Sequence, residues 1–348
     1  MGGISDGNGT DRAVVNLANS LCEYSNDYKV QLVSCCTPKG TKSYFELNEN
    51  IKLYNLDLNI QNKFAYVKLI KLLNQICNET HTDFLLGTTH AFNSILPFVK
   101  CNGIKRIGCE HMNFDAAPFY SKIARRFAYP KLNAVILLTE ADRKHYSFCK
   151  NTYVIPNCVN IYEESSTCKN TIMLAVGRYT YQKGFDMLID AFSIAKEKCP
   201  GWKLRIVGGG EDEELLRKKI KIYHLEDKVE LVPFTKNIKS EYLNAGMYLL
   251  SSRFEGFGLV LVEAKEAGLP TVAFNCPEGP ADIVCNGKDG FLVEPNNINE
   301  FAKYMIKLAN DEQLRKQFGA YGKEDIKRIS PENVFNLWND LFGVLSKD

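Results

Sequence analysis

Residues 247–263, Met247-Tyr248-Leu249-Leu250-Ser251-Ser252-Arg253-Phe254-Glu255-Gly256-Phe257-Gly258-Leu259-Val260-Leu261-Val262-Glu263, pass from an apolar run through a glycine-punctuated loop into a helix bracketed by two carboxylates. Met247–Leu250 is short, continuous and apolar, and ends in small polar residues. That is the pattern of a strand buried on both faces of a parallel sheet. The loop after it then stands at a strand's carboxyl end, where open α/β sheets bind their ligands. Gly256 and Gly258 let backbone amides come close to a ligand, and the helix start beyond them presents unpaired N–H groups and a positive dipole end to an anion. From Gly258 to Glu263 the chain rises about 7.5 Å at ~1.5 Å per residue, so Glu263 lies more than a turn inside the helix. Two glutamates eight residues apart are otherwise ordinary solvated charges at a loop–helix junction, and it is the neighbouring segments that give them meaning.

Thr171-Ile172-Met173-Leu174-Ala175-Val176 runs directly into Gly177-Arg178, and Lys183-Gly184 comes shortly after. Two cations five residues apart on a glycine-bounded loop suit a clamp on a diphosphate leaving group, where they would do electrostatically what a bound metal does elsewhere. Downstream, Gly268-Leu269-Pro270 stops a helix ahead of the strand-like Thr271–Phe274, and Cys276-Pro277-Glu278-Gly279-Pro280 is a rigid turn. Strand-like runs recur along the whole chain, at Lys29–Cys35, Phe84–Gly87, Arg106–Cys109, Ala134–Leu138, Tyr153–Ile155, Ile172–Val176, Lys203–Val207, Lys228–Val232, Met247–Leu250 and Thr271–Phe274. Amphipathic helical stretches alternate with them, which predicts parallel sheets in an α/β protein. The polar, aperiodic stretch Ile161–Asn170 reads as the linker between two similar halves.

A chain of 348 residues, 45% hydrophobic and 24% charged, has the size and composition of a two-domain globular protein. Its formal charge of +2 argues against a nucleic-acid binder. The twelve cysteines show no Cys-x-x-Cys spacing and follow no secretory signal, which reads as a reduced, cytoplasmic chain. No apolar run approaches the ~20 residues that span a bilayer, so contact with the inner face of a membrane would be peripheral.

The succession Gly-Arg-x4-Lys-Gly (177–184), Val-Gly-Gly-Gly-Glu (207–211), Glu-Gly-Phe-Gly-x4-Glu (255–263), Glu-Ala-Gly-Leu-Pro-Thr-Val (266–272) and Asp-Gly-Phe-Leu-Val (289–293) resembles the retaining glycosyltransferases of family 4. The resemblance extends through a glycine-rich segment before Asp11-Arg12 and through Glu110-His111-Met112-Asn113. It implies the GT-B fold, in which two Rossmann-like domains with parallel sheets face a cleft. The expected division is an acceptor-binding domain over residues 1–160, a nucleotide-sugar-binding domain over 161–329, and a helix within 330–348 that crosses back to the first domain. Carried onto this chain, the family's functional positions are His111, Arg178, Lys183 and Glu255 for catalysis, and Gly9, Gly177, Gly256, Phe257, Gly258, Leu259, Val260 and Glu263 for substrate binding. Glu255 would hold donor-sugar hydroxyls and Glu263 the ribose. His111 should sit at a sheet edge facing the cleft, near the donor sugar. The implied partners are a nucleotide-sugar donor, with UDP as the expected nucleotide, and a glycan or polyprenyl-diphosphate-linked acceptor. The Cys-Pro-x-Gly-Pro turn points to the branch that builds bacterial lipopolysaccharide, exopolysaccharide and lipid-linked oligosaccharides. No cofactor is implied, and no Asp-x-Asp tripeptide occurs to hold a donor-bound metal.

Two other readings use the same residues: a sugar-nucleotide epimerase with the same clamp and no acceptor, and a non-catalytic nucleotide-sugar-binding protein. A dehydrogenase fits less well, because Glu213 stands where the third glycine of a dinucleotide fingerprint belongs. Tyr120, Lys122, Arg125, Arg126, Phe127, Tyr129 and Lys131 form a basic, aromatic stretch suited to an anionic lipid surface. In one respect the chain departs from the family. The family begins with an apolar strand before the glycine-rich loop, whereas Met1-Gly2-Gly3-Ile4-Ser5 is already loop-like. The expected consequence is a gap in the middle of the first sheet, with unpaired backbone on both neighbouring strands and an unsettled position for Gly7 and Gly9.

Overall fold

The computed structural model describes residues 1–5, 9–62, 64–115, 117–158 and 163–347. The chain divides into two units, Met1–Asn160 with Ile329–Asp348, and Ile161–Arg328.

The first unit contains β1 (Gln31–Ser34), β2 (Lys52–Asn55), β3 (Phe84–Gly87), β4 (Lys105–Cys109), β5 (Ala134–Leu137) and β6 (Thr152–Val154). All pair in parallel, but in two separate sheets: β1 with β2, and β3-β4-β5-β6. Met1 and Gly2 lie along the end of β1. Met1 N donates to Val33 O at 3.0 Å, while Cys35 N–H donates to Met1 O at 3.1 Å and Cys36 N–H to Gly2 O at 2.8 Å. The expected gap is thus present, though two residues close its far end. The helix Pro331–Leu345 packs against the helix Gly9–Tyr24. The Tyr28 hydroxyl donates to Asn339 Oδ1 at 2.6 Å, and the Phe84 and Phe342 rings lie 4.4 Å apart. Gly9 is the exposed first residue of its helix, and Gly7 lies outside the described residues. β2 escaped the sequence reading because Lys-Leu-Tyr-Asn is a short outer strand with no fully buried residue.

The second unit holds β7 (Ile172–Arg178), β8 (Lys203–Gly209), β9 (Val229–Pro233), β10 (Met247–Leu250), β11 (Thr271–Phe274) and β12 (Gly290–Val293) in one parallel sheet of order β12-β11-β10-β7-β8-β9. β10 and β11 are buried at every position, as strands covered on both faces must be. The core gathers Phe192, Leu204, Leu249, Phe274 and Phe301, each at most 1% exposed. From β7 the chain proceeds to β8 on one side, and from β10 to β11 on the other, so β7 and β10 mark the topological switch point of the sheet.

The polar stretch Ile161–Asn170 begins at the boundary between the two units. Ile161 and Tyr162 lie outside the described residues, but residues 166–168 are fastened to the second unit. Ser166 N–H donates to Ala267 O at 2.8 Å and its hydroxyl to Ala245 O at 2.6 Å. Cys168 is buried, and its carbonyl accepts from Arg315 Nε at 3.0 Å. Polar groups of this stretch satisfy neighbouring backbone groups.

Candidate functional site

Two loops rise side by side from the carboxyl ends of β7 and β10. Lys183 Nζ lies 2.7 Å from Glu255 Oε1, and the Ser252 hydroxyl donates to the same oxygen at 2.6 Å. The side chains of Lys183 and Glu255 are only 14% and 6% exposed. Removing one partner of so enclosed a pair leaves an uncompensated charge at a cost of about 3–5 kcal/mol. Gly177 makes this geometry possible, because a Cβ there would lie 3.2 Å from three carbons of the Lys183 stem. Its contribution is therefore a clear path for Lys183 across the strand end. Arg253 ties the loops together, with 2.9 and 2.7 Å bonds to Asp186, a 2.7 Å bond to Tyr181 O and its guanidinium 4.1 Å from the Tyr181 ring centre.

Arg178 is set differently from Lys183. It is exposed at the end of β7 and has no ion-pair partner among the described residues, so the clamp expected from sequence consists of one paired and one unpaired cation.

Gly258 has φ +89°, a left-handed conformation that favours glycine, and it caps the helix Leu259–Glu266. Leu259, Val260 and Gly256 are half-buried, and Phe257 is buried. Glu263 is buried on the fifth residue of this helix, and its Oε2 accepts from the Tyr242 hydroxyl at 2.8 Å. Tyr248 in β10 is wholly buried, and its hydroxyl donates to Val176 O at 3.5 Å. Burial first, then the carboxylates of Glu255 and Glu263, hold its phenol well above its ordinary range, so it remains protonated.

Ser252, Tyr242 and Tyr248 were not recognised from sequence. Ser252 and Tyr248 stand within the decisive stretch, but strand periodicity says nothing about which hydroxyl meets which carboxylate. Among the described residues, the group Cys285, Asp289 and Asp325 has metal-ligand proximity. The Lys265 ammonium already sits there, 2.8 Å from Asp289 and 2.7 Å from Asp325.

In the first unit His111 follows β4, an interior strand. It therefore stands off a carboxyl end of the sheet. Glu110, given no role from sequence, precedes it and is buried in a polar network. Glu110 accepts from Asn93 Nδ2 at 3.0 Å and from the Tyr129 hydroxyl, and pairs with the wholly buried Arg125 at 3.2 Å. Burial pushes the Glu110 carboxyl up while Arg125 acts to bring it down. His111 is half-buried, its Nδ1 has no hydrogen-bond partner among the described residues, and desolvation lowers its pKa to about 4. It is a neutral imidazole at neutral pH. An unfolded histidine titrates near 6.5, so between about 6.5 and 4 the unfolded chain binds the extra proton and stability falls as the pH drops. Burial and Arg125 shift His90 in the same direction. Unfolding in denaturant at pH 7 and pH 5 should show a loss of roughly 2 kcal/mol attributable to His111. His111→Asn should flatten that difference, and an equal slope in the variant would remove His111 as its cause.

The family model for glycosyl transferases group 1 matches residues 162–325. The amylovoran biosynthesis glycosyltransferase AmsD of Erwinia amylovora is 31% identical over 98% of this chain and 97% of its own length. A Campylobacter jejuni enzyme named as the GalNAc-alpha-(1->4)-GalNAc-alpha-(1->3)-diNAcBac-PP-undecaprenol alpha-1,4-N-acetyl-D-galactosaminyltransferase is 26% identical over 96% of this chain and 95% of its own. Among solved structures, a mutant of S. aureus TarM in complex with Fondaparinux, alpha-GlcNAc-glycerol and UDP superposes with a TM-score of 0.69 at 25% identity. That match covers 78% of this chain and 58% of the other, so this chain spans less than two thirds of that longer protein.

Proposed function

This chain belongs to the group 1 glycosyltransferases, with a GT-B-like α/β fold, and from that premise we propose that it is a retaining enzyme of surface-glycan synthesis. In this reading it transfers a hexose or N-acetylhexosamine from a UDP-sugar to a glycan or polyprenyl-diphosphate-linked acceptor. The observation that carries the reading is the contact of Lys183, Glu255 and Ser252 at the switch point, beside the glycine-capped helix that starts after Gly258. Arg178 and Lys183 stabilise the departing diphosphate, Glu255 holds donor-sugar hydroxyls, and Glu263, oriented by Tyr242, binds the ribose. His111, as a neutral imidazole, donates to or accepts from a sugar hydroxyl. The bond from the anomeric carbon to the phosphate oxygen breaks as the acceptor oxygen bonds to the same face, and the acceptor proton passes to the leaving phosphate. The relatives named for amylovoran biosynthesis and for an undecaprenol-linked acceptor, and the TarM complex with UDP, support this choice of donor and acceptor. A panel of UDP- and GDP-sugars scored for binding and hydrolysis tests it, with the anomeric configuration of any product read by NMR. Epimerised nucleotide sugar formed without an acceptor, or inversion at the anomeric carbon, would overturn it.

For the acceptor side we propose a peripheral membrane contact through the helix Phe119–Ala128. Phe119, Tyr120, Ile123 and Phe127 are 78%, 74%, 41% and 74% exposed, and at ~100° per residue they share one face. Arg126 and Lys131 are exposed nearby. Arg125 and Tyr129 do not join that face as expected from sequence. Both turn inward to Glu110, because a buried carboxylate requires its cation and donor. Changing Phe119 and Phe127 together to serine should weaken binding to anionic vesicles at least ~10-fold, since each ring inserted contributes about 1.5–3 kcal/mol. Unchanged co-sedimentation would exclude this face.

A further inference from the structure

We propose that Glu278 is a second carboxylate of the donor-sugar site and selects the sugar by accepting hydrogen bonds from its hydroxyl or amide N–H groups. The turn Cys276-Pro277-Glu278-Gly279-Pro280 leaves the carboxyl end of β11, the neighbour of β10 in the sheet. It begins as soon as the strand ends, for Asn275 N–H still donates to Val293 O at 2.7 Å. It then runs against the loop that carries Glu255. Glu255 N–H donates to Pro277 O at 3.5 Å, and Gly279 presses so close to Phe257 O that a side chain there would collide with it. A proline on either side of Glu278-Gly279 restricts the backbone, so the turn holds its shape before any ligand arrives.

Within that turn Glu278 is unusual on two counts. Its φ is +64°, in the left-handed region that glycine occupies freely and a long side chain rarely adopts. It is also only 7% exposed, and a glutamate is seldom enclosed so far. A turn that needed nothing but its shape would be better served by glycine at this position. Backbone strain of this kind concentrates at ligand clamps, where the surrounding structure holds it in place.

The surroundings indicate what the carboxylate holds. Burial first, then the charge of Glu255, pushes the Cys276 thiol up to about 12, with Lys183 acting against them and Glu278 adding to them. Glu255, Lys183 and Glu278 thus bear on one buried thiol and share one neighbourhood, at the carboxyl ends of β7, β10 and β11 in a single unit. Glu255 Oε1 already accepts from Lys183 and Ser252, which leaves the other oxygen for a sugar. A hexose presents more hydroxyl donors than one oxygen receives, and a second carboxylate supplies two further acceptors. A site that hydrogen-bonds a particular hydroxyl discriminates strongly against a sugar that lacks it or turns it away. This role rests on the reading in which Glu255 holds donor-sugar hydroxyls, and it names the group that sets which sugar is held.

The test compares the full chain with Glu278→Gly and Glu278→Gln, using UDP for binding and UDP-glucose, UDP-galactose and their N-acetylamino counterparts for hydrolysis. Glycine relieves both the left-handed backbone and the buried charge, so Glu278→Gly should melt no lower than the unaltered chain. Both variants should bind UDP as the unaltered chain does. In Glu278→Gly the ratio of kcat/KM between the most and least favoured of the four donors should nevertheless shrink at least ~10-fold, with the loss falling on the favoured sugar. Glu278→Gln keeps one acceptor oxygen and should recover part of that ratio, a rescue that a purely structural role would not give. Equal rates on all four donors in the unaltered chain, or an unchanged ratio in Glu278→Gly, overturns the assignment. So does a loss of UDP affinity that matches the loss of turnover, since Glu278 would then serve the nucleotide or the fold. An unaltered chain that binds no UDP and hydrolyses none of the donors would sink the donor reading itself, whereas an active one whose variants keep its selectivity sinks Glu278 alone.

Discussion

Replacing Lys183 by alanine is expected to lower turnover at least ~10²-fold, the scale of one charge-stabilising donor removed from a reaction centre. Two effects combine. The ammonium no longer faces the departing diphosphate, and Glu255 loses the partner that lies 2.7 Å away in a site where it is only 6% exposed. Arg178→Ala should reach a similar loss through the first effect alone, since Arg178 is exposed and without an ion-pair partner among the described residues. The two are separated by adding Glu255→Gln. With Lys183→Ala the combination should be strongly non-additive, because the pair shares one contact, while with Arg178→Ala the penalties should sum more nearly. Steady-state rates on the three single and two double variants, with folding checked by thermal melting, decide the matter. Near-normal turnover in both single variants would remove the clamp from the mechanism.

Glu255→Gln and Glu263→Gln should fail in different ways. Glu255 stands at the loop with Lys183 and Ser252 on one oxygen, so glutamine keeps an acceptor there but loses the charge, and the chemical step should slow. Glu263 sits inside the helix with Tyr242 on Oε2 at 2.8 Å, so its loss should appear as weaker donor binding with the chemical step spared. Single-turnover rates at saturating donor, beside a binding isotherm for the nucleotide, separate the two. Equal losses of affinity with unchanged chemistry in both variants would contradict the division of labour. Tyr242→Phe should then reproduce part of the Glu263 defect in binding without touching the chemical rate, as befits a positioning residue.

Much of the second unit was legible because its information is local. Met247–Leu250, the glycine loop and the helix to Glu266 are contiguous in sequence and in space, and each carries its own periodicity or conformational signature. β12 was overlooked as a strand, although Gly290–Val293 lies within a motif that the sequence displays. Four residues behind a turn carry too little periodicity to distinguish strand from loop. In the first unit the locally encoded strands Phe84–Gly87 and Ala134–Leu137 were readable.

What the sequence determined by itself, then, is the alternation of elements, the parallel character of the sheets, and the order of motifs along the chain, since all three arise from neighbours in sequence and the short-range preferences of the backbone. The tertiary structure decided which groups meet. The direction taken by Arg125 depends on Glu110, fifteen positions away, and that of Tyr129 on the same carboxylate, so a helix that reads as uniformly basic and aromatic divides into an inner and an outer face. Ser252 and Tyr242 find their carboxylates only after β7, β10 and the helix Leu259–Glu266 have packed. Pairing of buried charges and hydroxyls is a condition on the folded interior, where an unpaired polar group costs several kcal/mol, and no spacing along an unfolded chain expresses it.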